Sequence, residues 1–130
     1  MTELRVSEAA ALIGVSDDTL RRWADAGRIR IAKSQSGRQV VDGAQLAALA
    51  QELSTEPPLA AAGRVSTRNR LTGIVTRITR DTVMAQVEIQ AGPFRIVSLI
   101  SREAVDELGL EVGSVAAATV KATSVGIEIP

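Results

Sequence analysis

Two adjacent prolines, Pro57-Pro58, divide this 130-residue chain into halves whose hydrophobic periods differ. A helix cannot run through them, because each proline lacks the backbone N–H and its ring clashes with the preceding turn. The surrounding Ser-Thr-Glu-Pro-Pro-Leu-Ala-Ala-Ala-Gly-Arg run therefore reads as an extended spacer, with residues 54–64 as the linker. Ahead of it, in residues 1–53, apolar side chains recur at helical spacing; behind it, in residues 65–130, they alternate. The expected class is α+β with two small domains. Each buries a small share of its surface, so self-association is an expected source of stability.

The first half reads helix, helix, hairpin, helix. Ser7 is placed to cap a short helix through Leu12 and Ile13, stopped by Gly14. Ser16 then caps a second helix, with Asp17 and Asp18 in the first turn where the helix dipole favours acids. Val15 before that cap and Leu20 after it form a hydrophobic staple, and Leu20, Trp23 and Ala24 make the inward stripe. Gln35-Ser36-Gly37 is a turn between the runs Arg30-Ile31-Ala32 and Gln39-Val40-Val41. Asp42 caps a third helix whose inward positions are Leu46, Leu49, Ala50 and Leu53. Formal charge is balanced over the chain, yet Arg21, Arg22, Arg28, Arg30, Lys33 and Arg38 face only Asp25 between residues 19 and 41. Such an excess is either a face for polyanions or a solvated basic surface.

Two helices joined by Gly-Val-Ser and followed by a basic hairpin describe a winged helix-turn-helix. Residues Val6-Ser7-Glu8-Ala9-Ala10, Leu12-Ile13-Gly14-Val15-Ser16, Thr19-Leu20-Arg21-Arg22-Trp23 and Gly27-Arg28-Ile29 resemble the MerR and excisionase class. In that class the second helix enters the major groove and the hairpin touches the backbone. The resemblance implies double-stranded DNA as partner, contacted by Ser16, Thr19, Arg21, Arg22, Arg28, Lys33 and Arg38. The wing departs from the class, being Ser36-Gly37-Arg38-Gln39 where relatives carry a denser arginine cluster. A helix-turn-helix can also serve as a protein–protein module.

In the second half, residues 82–90 alternate, with Val83, Ala85, Val87 and Ile89 on one face and Thr82, Met84, Gln86 and Glu88 on the other. Gly92-Pro93 turns the chain into a run from Phe94 to Ile100, and Ser101 opens a helix closed by Gly109. Further strands are expected through Val115, Ala117 and Thr119 and over residues 124–129. Five or so short strands with one helix suggest a compact antiparallel barrel of the OB kind.

Polar residues cluster at the strand ends: Ser66-Thr67-Arg68-Asn69, Lys121-Ala122-Thr123-Ser124, and Ser98 with Ser101. Cations, hydroxyls and backbone amides suit a tetrahedral oxyanion, whose outer atoms all accept hydrogen bonds. Spacing alone leaves open that Arg68 and Lys121 are surface cations and the serines turn residues.

The chain contains no cysteine and no histidine. Disulfides, thiolate nucleophiles, imidazole bases and the usual zinc sites are thereby excluded, and the carboxylates form no recognisable catalytic pair. A binding protein, not an enzyme, is expected. Glu3 and Glu8 stand where a signal peptide would be basic and then apolar, and no apolar run is long enough to span a bilayer. The expected location is cytoplasmic, away from membranes.

Residues 65–130 resemble a Mop domain, the molybdate-binding member of the TOBE family. The motifs are Ser66-Thr67-Arg68-Asn69-Arg70-Leu71-Thr72-Gly73, Leu99-Ile100-Ser101-Arg102-Glu103-Ala104-Val105 with Leu108-Gly109-Leu110, and Val120-Lys121-Ala122-Thr123-Ser124-Val125. The resemblance implies molybdate or tungstate bound by Ser66, Thr67, Arg68, Asn69, Ser98, Ser101, Lys121, Ala122 and Thr123, at a subunit interface of a homo-oligomer. Ala104 stands where many relatives carry a second hydroxyl, and one hydrogen bond to a charged ligand is worth roughly 1.5–3 kcal/mol. With the first half, this implies a molybdate-responsive transcriptional regulator, similar in logic to the ModE regulators. The alternative is storage or buffering, as in the molbindins. A transporter adaptor fits less well, because the chain has no P-loop.

Overall fold

A computed structural model describes residues 2–54 and 66–130. The chain forms two compact units, Met1–Glu56 and Pro57–Pro130. Apart from Ser54, the Pro/Ala linker expected at 54–64 lies outside the described residues.

The first unit runs β1 (Glu3–Arg5), α1 (Val6–Leu12), α2 (Asp17–Asp25), β2 (Ile31–Lys33), β3 (Gln39–Asp42) and α3 (Gly43–Leu53). Its strands form an antiparallel sheet of order β1-β3-β2, with Leu4 and Ile31 both registered on Val41. Val41, fully buried, joins Val6, Ala9, Ala10, Leu20, Ile29, Leu46 and Leu49 in one core, with Val15, Trp23 and Ala24 packed against it. The sharp reversal between α1 and α2 uses Gly14 at φ +74°, a left-handed conformation that costs glycine little, and the Val15 amide donates back to the Ala10 carbonyl at 3.0 Å. Ser16 caps α2 as its sequence position demands: its hydroxyl accepts from the Thr19 amide at 3.1 Å. Asp42 caps α3 through the Gln45 amide.

Two expectations need correction here. Ser7 is not a cap; it lies inside α1, whose N-cap is Arg5, two residues earlier and without a side-chain cap bond. The chain leaves β1 directly into the helix, so the pairing of Arg5 with Val40 fixes the start. The β1 strand itself went unanticipated. Leu53 is 38% exposed at the end of α3 and does not continue the inward stripe.

The second unit contains β4 (Asn69–Arg80), β5 (Met84–Ala91), β6 (Phe94–Ser101), α4 (Arg102–Leu108), β7 (Val115–Val120) and a 3₁₀ turn at Ala122–Ser124. Its four strands are antiparallel in the order β6-β5-β4-β7, a curled half-barrel. Val75, Ala85, Val87 and Ile89 line the inside, and Val105 of α4 closes on them. A bulge between Val75 and Arg77 lets the long β4 bend.

The strand expected over 124–129 is absent: residues 122–124 form the turn, and the segment after it pairs with nothing among the described residues. Val83 is 67% exposed in the β4–β5 turn rather than on the core face. Glu88 does face away from the core, yet it is buried beneath Arg95 and Arg77, with which it forms ion pairs.

Asp81 organises that β4–β5 turn, accepting from the Val83 and Met84 amides at 2.7 Å each. Those two amides, Met84 first, hold its carboxyl below the ordinary aspartate value, with Arg102 adding a smaller push. A carboxylate held low stabilises the fold at pH above its unfolded value, near about 4, and loses that contribution as pH falls through its folded value. Asp81→Asn keeps an acceptor oxygen but cannot titrate. Its acid-side loss of thermal stability is therefore expected to be shallower than wild type below about pH 4, which melting curves at successive pH values will check.

Candidate functional site

The β4–β7 ladder ends at the pair Asn69 with Val120, and the Asn69 side-chain amide donates to the Val120 carbonyl at 3.1 Å. Thr67 and Arg68 on one strand, and Lys121 and Ala122 on the other, therefore leave the sheet side by side. Residues 66–69 and 121–123, far apart in sequence, meet at one end of the half-barrel. Ser66, Arg68 and Lys121 are exposed there, and Thr67 and Asn69 are half-buried. The 3₁₀ turn uses the Ser124 and Val125 amides for its own bonds and not those of Ala122 and Thr123. Cationic groups, hydroxyls and backbone donors thus share one mouth, as an oxyanion requires.

Ser98 and Ser101 are elsewhere within the unit. Both lie on β6, the edge opposite β7, with Ser101 registered on Met84 and Ser98 on Val87. Ser101 is thus level with the Arg80 end of β4, while Lys121 is level with the Asn69 end, roughly 36 Å of strand away. The Ser101 hydroxyl accepts from the Ala104 amide at 3.0 Å and keeps its proton for donation. Within one copy, Ser101 and the residues around Lys121 therefore lie at opposite edges and ends of the sheet.

The same two edges frame an apolar cavity of about 640 Å³, whose walls include Ile96, Ile100, Leu110, Ala116 and Ala118. Beyond the 3₁₀ turn, Val125, Ile127 and Ile129 alternate along the chain at 46%, 92% and 95% exposure. Among the described residues nothing covers them.

In the first unit the cations fall into distinct settings. The Ser16 hydroxyl donates to Thr19 Oγ1 at 3.0 Å, and Arg22 Nη2 donates to the same oxygen at 3.1 Å, so the three form a linked row along α2. Arg21 Nη1 instead donates to Gln39 Oε1 at 2.6 Å, tying α2 to the hairpin. Arg28 lies over the Trp23 ring, 4.8 Å from its centroid, and 3.8 Å from Glu52. Its guanidinium is engaged at the hairpin base, in contrast to Lys33 and Arg38, which are exposed on the wing. Gln39 and Arg5 were not anticipated at this surface. Gln39 sits in a strand pattern, and Arg5 in a strand too short to show a period.

Among the described residues no helix is long and apolar enough to cross a membrane. No cluster of three or more acidic groups there could hold a metal ion.

Sequence comparison matches residues 3–54 to a helix-turn-helix domain family and residues 65–127 to the TOBE domain family. Molybdenum-pterin-binding protein 2 of Clostridium pasteurianum is 41% identical over 64 residues, which is 48% of this chain and 94% of that protein. A probable molybdenum-pterin-binding protein of Haemophilus influenzae is 43% identical over 67 residues, 51% of this chain and 97% of that protein. Among solved structures, a molybdate binding protein from Sporomusa ovata aligns at 32% identity with a TM-score of 0.49, covering 51% of this chain and 98% of that one. The chain belongs to the TOBE-domain family that includes the molybdenum-pterin-binding proteins, and it carries a helix-turn-helix domain ahead of that conserved half.

Proposed function

We propose that this chain is a cytoplasmic, molybdate- or tungstate-responsive DNA-binding regulator whose oxyanion site is completed between subunits. The observation that carries the reading is the separation of donors in one copy. Ser66, Thr67, Arg68, Asn69, Lys121, Ala122 and Thr123 gather at one end of the sheet, Ser101 lies at the other end of the opposite edge, and Ser98 sits midway along that edge, on the wall of the cavity that Thr119 and Val120 also line. Two copies that set one end against the other would surround a dianion with both half-sets. The relatives' names support the ligand, and the helix-turn-helix match supports DNA as partner. No catalytic step is part of the reading.

A ligand bridging two copies binds the assembly in preference to the free subunit and shifts that equilibrium by its differential affinity. Assembled copies would hold two DNA-binding units at a set spacing, which selects among paired half-sites. Ala104, which offers no hydroxyl beside Ser101, is expected to make the site weaker than one with a serine there. Titration calorimetry with molybdate, tungstate and sulfate, read beside duplex binding with and without molybdate, tests the proposal. Binding of the larger anions with a change in duplex affinity is expected; identical duplex affinity in both states would sink the switch.

Storage is the competing reading. It is favoured by the curated relatives, which the second half alone covers over 94–97% of their own length, without a DNA-binding domain. Oxyanion binding with no measurable affinity for a duplex would decide for it.

A further inference from the structure

Among the cations of the first unit, Arg5, Arg21 and Arg38 are set apart from Arg22. We propose, resting on the DNA-binding reading above, that they divide recognition between them: Arg5, Arg21 and Arg38 seat one backbone phosphate, and Ser16, Thr19 and Arg22 are left to face base edges.

The seat is a concavity of about 290 Å³ whose lining includes Arg5, Ser7, Asp17, Arg21, Arg38 and Gln39. Three elements converge on it: the end of β1, the first half of α2 and the turn of the wing. Among the described residues neither Arg21 nor Arg38 has an ion-pair partner within 4.0 Å. Arg21 is held by its bond to Gln39, so its guanidinium is already fixed beside the wing. Arg5 is only loosely engaged, 3.8 Å from Glu8, with both side chains more than half exposed. Asp17 is the single acid on the lining, and it offsets part of the charge. Guanidinium forks match phosphate oxygens geometrically, and three of them around a hollow wide enough for one phosphate make a contact that positions without reading sequence.

Arg21 and Arg22 are consecutive on α2, so about 100° of helix rotation separates them. They cannot serve the same contact. Arg22 is aligned with Ser16 and Thr19 at a spacing of three, and its bond to Thr19 Oγ1 draws it along that row and away from the concavity. A row of hydroxyls and one guanidinium can donate to and accept from base edges, whereas the concavity offers mainly cations.

The test measures the affinity of the full chain for an AT-rich and a GC-rich duplex across a series of salt concentrations. Variants are Arg5→Gln, Arg38→Gln, Arg22→Gln and, as a charge-matched control outside the concavity, Arg30→Gln. Because three arginines share one phosphate, Arg5→Gln and Arg38→Gln are each expected to remove a part of the roughly 0.9 that this phosphate contributes to the salt slope, equally on both duplexes. Arg22→Gln is expected to change the ratio between the duplexes, and Arg30→Gln to keep the wild-type slope. The phosphate seat is overturned if Arg5→Gln and Arg38→Gln flatten the slope no more than Arg30→Gln, or if they alter the ratio between duplexes. If the wild type itself shows no salt-dependent duplex binding, the DNA-binding reading fails as well, which is a different pattern. Trp23 fluorescence melting curves confirm that each variant keeps the first unit folded.

Discussion

Replacing Gly73 with alanine is expected to unfold the second unit at markedly lower temperature while leaving the first unit as it was. Gly73 lies on β4, where the strand passes against the end of β5. A Cβ at this position would lie 2.3 Å from the Gln90 carbonyl oxygen and 2.7 Å from Ile89 Cγ2. The first of these is backbone at the end of the β4–β5 ladder, where Ile74 pairs with Gln90, so no side chain can swing aside to make room. The two strands must separate locally, and the inner row of Val75, Val87 and Ile89 separates with them. Overpacking commonly costs 1–3 kcal/mol, and a clash against backbone belongs at or beyond the top of that range, so about 3 kcal/mol is expected. Each kcal/mol lowers the midpoint of a domain this size by about 4–8 °C, giving a drop of about 12–24 °C. Trp23 is the sole tryptophan and sits in the first unit, so its fluorescence transition serves as an internal control. Far-UV circular dichroism reports both units. A second-unit midpoint within a few degrees of wild type would mean that β4 and β5 do not approach so closely.

Local signals were read correctly because their physics is local. Ser16 with Asp17 and Asp18, Val15 with Leu20, Asp42, and Ser101 with Gly109 each satisfy or charge groups within one helical turn, and the structure places all of them in those roles. Ser7 shows the limit. It is a good cap by residue type, but β1 pairs with β3 up to Arg5, and the helix begins where that pairing ends. A three-residue strand such as β1 carries too few positions to display a period, so it and Arg5 were invisible.

The burial of Glu88 was hidden for a related reason. Alternation assigns it to the outer face, which is correct, but register decides that Arg77 stands opposite and that Arg95 reaches over it. The meeting of residues 66–69 with 121–123 likewise follows from the Asn69–Val120 pairing, a relation between residues 51 apart. Motif order alone could suggest that they share a ligand. The separation of Ser98 and Ser101 from them emerged only with the strand order.

Residues 124–129 taught the most, because the pattern was read correctly and the strand is absent. Val125, Ile127 and Ile129 do alternate as a strand should, but alternation reports a readiness to pair, not the existence of a partner in the same chain. On the proposal that subunits complete each other, the segment of one copy would pair in the gap between β6 and β7 of another. Six residues at about 3.3 Å span about 20 Å, the length of β7, and the cavity between the edges is apolar. Both open edges, otherwise liabilities for unspecific association, would be used at once.

The double substitution Ile127→Glu with Ile129→Glu is expected to dissociate the assembly without unfolding either unit. Both side chains are more than nine-tenths exposed in the single chain, so their loss removes no contact there and the midpoints of both melting transitions are expected to be unchanged. In a reciprocal pair four isoleucines would be buried. At about 1.5–3 kcal/mol each the gross contribution is roughly 6–12 kcal/mol, from which the ordering of two segments must be subtracted. Carboxylates carried into the apolar gap oppose binding further. A net loss of at least about 4 kcal/mol corresponds to a rise in the dissociation constant of about a thousandfold, well within reach of sedimentation equilibrium. Molybdate binding is expected to fall in parallel, because Ser101 and Lys121 would no longer meet across subunits. An unchanged mass distribution would reject the exchange of this segment. A dissociated protein that still bound molybdate at wild-type affinity would place the whole anion site within one copy, against the separation of the two half-sets on the sheet.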